Sequence, residues 1–88
     1  MQQIANLVGP NIVKFRWERD WTQEELASRL QVVGCYMTRD MIANIESQRR
    51  CVFDYQLDAF AEVFGVTRDE LFPPRQRRRK HRGAFLPE

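Results

Sequence analysis

Two short stretches with helix-start chemistry, WTQEELASRL from Trp21 to Leu30 and MTRDMIANIESQRR from Met37 to Arg50, constrain this chain more than any other feature. In the first, the Thr22 hydroxyl can accept from a backbone N–H two or three residues on, Glu25 can reach back to the Thr22 amide, and Trp21 can staple onto Leu26. In the second, Thr38 is the candidate cap and Met37 the staple partner of Ile42, while Ile42 and Ile45 mark the buried side. Each stretch has one apolar side, and that side needs further helices to cover it.

The flanking sequence supplies them. Gly9-Pro10 followed by NIVKFRWERD predicts a first helix with Pro10 in its first turn, where a missing N–H is harmless. Ile12, Phe15 and Arg16 turn inward, and the helix stops ahead of Trp21. Ile4, Leu7 and Val8 either form a preceding helical turn over the core or fray at the terminus. Downstream, Asp54 is the expected cap of YQLDAFAEVF, whose Leu57, Phe60, Ala61 and Phe64 keep helical spacing up to Gly65, a glycine placed to end the helix. Thr67 and Glu70 repeat the capping box, with Val66 stapling Leu71, for a short fifth helix that Pro73-Pro74 stops. The alternation of half-buried strands is missing, so the fold class is all-α, a compact five-helix domain.

At 88 residues, 43% hydrophobic and 30% charged, the chain has apolar material for one modest core. That domain is expected over residues 1–74, because RQRRRKHRGAFLPE, residues 75–88, is too charged and too poor in apolar surface to fold unaided. Charge divides the same way: residues 1–74 carry 8 basic and 11 acidic side chains, residues 75–88 carry 6 basic and 1 acidic. No apolar run has membrane-spanning length, and Met1-Gln2-Gln3 lacks the basic start of a secretion signal, so a cytoplasmic protein is expected. Cys35 and Cys51 form no Cys-x-x-Cys pair and His81 stands apart, so no metal site is expected. Free thiols are the default, a redox pair between the two cysteines the alternative. No Ser, Cys or Thr nucleophile has an evident base and no Gly-rich phosphate loop is present, so neither an enzyme, a cofactor nor a small-molecule substrate is expected.

The pieces RWERDWTQEELASRL, TRDMIANIESQRR and LDAFAEVFGVTRDELF, in this order, resemble the Cro and phage-repressor (XRE) family of helix-turn-helix domains over about residues 8 to 72. The resemblance implies a lambda-repressor-like DNA-binding fold whose third helix reads bases. It implies a homodimer on a pseudo-palindromic operator in double-stranded DNA, and transcriptional regulation, as a repressor that excludes polymerase. It implies that Gln23 hydrogen-bonds a phosphate at the start of the second helix, where free N–H groups and the helix dipole favour an anion. Gln48, Arg49 and Arg50 would anchor phosphates beyond the third helix, Thr38 would contact one as well as cap, and Arg16 with Glu46 would form a structural salt bridge between the first and third helices.

In the third helix Arg39, Asp40, Ala43 and Asn44 make one stripe opposite Ile42 and Ile45. Arg39 suits guanine O6 and N7, Asn44 adenine N6 and N7, Asp40 cytosine N4, and Ala43 a thymine methyl. The plainer readings are an exposed early-helix residue for Gln23, a solvated face for Arg39 and Asn44, and helix-start electrostatics or a pair with Arg39 for Asp40.

The chain departs from the family pattern in places. Members commonly carry a glycine where this chain has Gln48. The connection QVVGCYM puts seven residues between Leu30 and Thr38, an enlarged turn in which Gly34 permits a left-handed bend and Tyr36 either packs into the core, the favoured reading, or reaches a phosphate. Val13 and Trp17 form a second apolar pair on the first helix, packing on Ile4 and Leu7 or meeting a protein partner. The joint of the last two helices, where relatives often dimerise, offers Arg68, Glu70, Phe72 and Pro73. In the tail, Arg75, Arg77, Arg78, Arg79, Lys80 and Arg82 are candidate DNA contacts, with RNA or an acidic protein surface as alternatives. The rival to DNA reading is an antitoxin-like or adaptor protein whose helical domain binds a protein partner.

Overall fold

Threonine hydroxyls start three of the helices. A computed structural model describes residues 6–74 and places in them α1 (Gly9–Glu18), α2 (Gln23–Val32), α3 (Arg39–Glu46), α4 (Asp54–Phe64) and α5 (Arg68–Leu71), with no strand among the described residues. Thr22 and Thr67 each accept from the N–H three residues on, and Glu25 and Glu70 reach back to the threonine amide, so both capping boxes are complete. Thr38 Oγ1 accepts from the Met41 amide at 3.1 Å. The cap of α4 is not Asp54 as expected. Phe53 holds that position and Gln56 Oε1 accepts from its N–H at 2.9 Å, leaving Asp54 as the first helical residue, where its charge suits the helix dipole.

The four longer helices all end alike. Asp20, Gly34, Gln48 and Gly65 adopt left-handed backbone with φ of 58°, 87°, 64° and 72°. In each case that residue's N–H bonds a carbonyl three back, to Trp17, Gln31, Ile45 and Glu62, while the next N–H bonds one five back, to Arg16, Leu30, Asn44 and Ala61. This paired closure stops the helix sharply and turns the chain. It also corrects the connection between α2 and α3: α2 continues two residues beyond the expected Leu30, so Val33 to Met37 alone separate Val32 from Thr38. Similarly α3 ends at Glu46, which leaves Gln48, Arg49 and Arg50 in the loop.

Ile12, Leu26, Leu30, Ile42, Ile45, Phe60 and Leu71 are fully buried, one or two from every helix, and α3 packs between α1 and α2 while α4 closes the other side. Burying each such side chain contributes about 1.5–3 kcal/mol. Trp21 and Phe64 stack at 5.9 Å, and Phe60 and Phe15 extend the aromatic cluster. The Arg19 guanidinium lies over the Phe15, Trp21 and Phe64 rings and donates to the Phe15 and Phe64 carbonyls, covering the C-terminal end of α4.

Five aromatic residues stay outside this core, Trp17, Tyr36, Phe53, Tyr55 and Phe72, and two of them bear on the expectations above. Tyr36 is 72% exposed, contrary to the packing expected of it, because the flanking Cys35 and Met37 take the inward positions. Trp17 and Leu7 are exposed as well, so Trp17 is not buried on Leu7; Ile4 lies outside the described residues. No helix among the described residues is long and apolar enough to cross a membrane.

Candidate nucleic-acid interface

α3 turns Ile42 and Ile45 wholly inward, which leaves the opposite side of its eight residues open. Arg39 and Asp40 stand in solvent at the start of the helix, their side chains 57% and 88% exposed, and pair loosely at 3.5 Å. An exposed pair of this kind contributes little and breaks readily, so either group is free to meet a ligand. Ala43 and Asn44 are half-buried on the next turn.

Beside this row, Glu46 gathers three donor groups. Its carboxylate accepts from Arg16 Nε at 2.6 Å, from a second Arg16 nitrogen at 3.0 Å and from Gln23 Nε2 at 2.9 Å. Arg16 and Glu46 side chains are 12% and 6% exposed, and Arg16 also donates to the Trp21 carbonyl, so the expected salt bridge forms and is fully engaged. The bond from Gln23 was not expected. It fixes the N-terminal end of α2 against the C-terminal end of α3 and still leaves Gln23 Oε1 and one amide hydrogen for an outside partner.

Beyond α3, Arg49 and Arg50 are exposed. Gln48 Nε2 donates to the Asn6 carbonyl at 3.0 Å, so this side chain, expected on a phosphate, is partly occupied inside the protein. Gln48 also holds the left-handed position that ends α3, which is why a glycine suits this site.

Gly9 and Asn6 were missed as site-shaping residues. A Cβ on Gly9 would lie 2.4 Å from the Ile45 carbonyl oxygen, so α1 meets the end of α3 where only hydrogen fits. Asn6, 5% exposed, accepts from the Val8 and Gly9 amides and donates to the Ile45 and Arg50 carbonyls. The signal was present in Asn-x-x-Gly-Pro, an Asx residue just ahead of a helix start, but its long-range partners were not.

Cys35 is buried, and that burial pushes its thiol above the ordinary range; Cys51 is half-buried, and both are free thiols. Among the described residues no three His, Cys, Asp or Glu side chains gather as a metal site. Arg68, Glu70, Phe72 and Pro73 are exposed, and Arg68 pairs with Asp58 at 3.1 Å. The basic residues Arg75 to Arg82 lie outside the described residues. Comparison with family models, with curated proteins and with solved structures finds no match.

Proposed function

We propose that this protein is a sequence-specific double-stranded DNA-binding regulator of the XRE type, acting as a homodimer on a pseudo-palindromic operator and repressing transcription. The observation that carries the reading is the Gln23–Glu46–Arg16 junction, which locks the start of α2, a place suited to a phosphate, beside the open row of α3. Arg39, Asp40, Ala43 and Asn44 read base edges in the major groove. Gln23, Thr38, Arg49 and Arg50, helped by the tail arginines, hold phosphates and set the register.

Selection of bound duplexes from a random pool tests the proposal, with recovery of two half-sites about 10 base pairs apart as the expected result. On the selected duplex, Arg39→Ala and Asn44→Ala each weaken binding by about 1–3 kcal/mol and relax preference at particular positions. Arg49→Ala weakens all sequences alike. Equal losses on every sequence for all three variants would remove the base-reading assignment.

A second reading rests on Trp17, which is 67% exposed on α1: an adaptor that meets a protein partner through this face, with DNA contact secondary. Trp17→Ala separates the two, because operator affinity stays unchanged in the first reading while a pulled-down partner is lost in the second.

A further inference from the structure

Arg49 sits between two residues that are both tied to Asn6. On one side Gln48 Nε2 donates to the Asn6 carbonyl at 3.0 Å; on the other, Asn6 Nδ2 donates to the Arg50 carbonyl at 2.9 Å and to the Ile45 carbonyl at 2.8 Å. The Arg49 amide itself bonds the Asn44 carbonyl at 2.8 Å. Asn6 Oδ1 is used too, accepting from Val8 and Gly9 at 3.1 and 2.9 Å, so every hydrogen-bonding site of this buried amide has a partner. A satisfied buried amide defines geometry sharply, because any rearrangement leaves one of its groups unpaired. The Arg50 and Cys51 amides, in contrast, have no acceptor among the described residues, and they adjoin two exposed guanidinium side chains.

We propose that Asn6 is a positioning residue for phosphate binding: it holds Gln48 and Arg50 so that Arg49, Arg50 and the two unpaired amides converge on one stretch of nucleic-acid backbone. The proposal rests on the DNA-binding reading and adds to it a determinant that lies ahead of α1, outside the helix-turn-helix. Asn6 touches no DNA. It acts through the loop, so its replacement weakens the grip on phosphate and leaves base preference alone.

The test is Asn6→Asp, which keeps an acceptor for Val8 and Gly9 but turns a second oxygen toward the Ile45 and Arg50 carbonyls. On the duplex selected by the wild-type protein, log affinity against log salt becomes shallower by about 0.9 for each phosphate that the loop no longer neutralises, and the expected change corresponds to about one or two phosphates. Near 0.1 M salt this weakens binding about eightfold per phosphate. The order of preference among base pairs is unchanged. Asn6→Ser, which retains a cap acceptor but replaces the two amide N–H donors by one shorter hydroxyl, gives the same result if the aspartate variant does not fold. Ile12→Val, a core trim measured at a temperature where all variants are folded, keeps the full slope.

Amide hydrogen exchange supplies a readout without DNA: Gln48 and Arg49 exchange faster in Asn6→Asp, relative to Ile42, than in the wild type. A folded Asn6 variant with the full salt slope, or with altered base preference, overturns the proposal. A wild-type protein with no duplex affinity overturns the function instead, and the exchange rates still decide whether Asn6 holds the loop.

Discussion

Gly9 and Gln48 meet at the same corner of the molecule with opposite backbone problems. Gly9 has ordinary helical backbone but no room, since a methyl group there would press on the Ile45 carbonyl, which is itself held by Asn6. Gly9→Ala therefore acts as overpacking and lowers unfolding free energy by about 1–3 kcal/mol, read from urea denaturation with an unchanged slope. Gln48 has room but a left-handed φ of 64°, which an L side chain adopts at a penalty of about 1–2 kcal/mol. Its bond to the Asn6 carbonyl, worth about 0.5–1.5 kcal/mol, offsets that penalty. Gln48→Gly removes both terms and stays within about 1 kcal/mol of the wild type, whereas Gln48→Ala keeps the strain, loses the bond and is the least stable of the three. The sequence made Gln48 visible as a departure from a family glycine. The close approach at Gly9 was not legible, because its partner comes from α3 and only the packed fold brings them together.

Helix beginnings were more legible than helix endings, and the reason is local chemistry. A capping box is closed by residues three apart, so Thr22 with Glu25 and Thr67 with Glu70 could be read directly. An ending depends on where the left-handed residue falls. The apolar rhythm of α2 stops at Leu30 because Gln31 and Val32 face solvent, Val32 at 85% exposure, yet the helix continues until Gly34 can turn it. At α4 the reach of Gln56 to the Phe53 amide displaced the expected cap by one residue. A methyl group on Gly34 would meet no atom within 4 Å, so Gly34→Ala tests conformation without crowding. It lowers stability by about 1–2 kcal/mol in chemical denaturation, and Thr38→Ala, which removes the cap at the other end of the same connection, by about 1 kcal/mol. A neutral Gly34→Ala would mean that the connection leaves the left-handed region without loss.

The candidate site was legible as a set of residues and not as an assembly. Helical spacing puts Arg39, Asp40, Ala43 and Asn44 on one outward stripe, while their candidacy as base readers and the pairing of Arg16 with Glu46 come from the family resemblance; the bond from Gln23 joins two helices through side chains and needed the packed structure. That bond makes Glu46 both a fold residue and a member of the candidate site, and the two roles can be separated. Glu46→Ala leaves the Arg16 guanidinium, 12% exposed, without its counter-ion and destabilises the protein by about 3–5 kcal/mol. Loss of DNA binding in that variant would report unfolding as much as contact. Replacing both partners, as Arg16→Met with Glu46→Leu, removes the buried charges together and recovers most of that stability. It also frees Gln23, whose amide then has no carboxylate to orient it. On the proposed DNA-binding function, the double variant is thus expected to fold, to keep the wild-type order of base preference, and to lose about 0.9 from its log–log salt slope, the equivalent of one phosphate. Melting followed by circular dichroism and titration of the selected duplex at several salt concentrations measure the two effects independently. A double variant that folds and retains the full slope would place Glu46 in the fold alone and leave the proposed phosphate contact at α2 to the helix N-terminus.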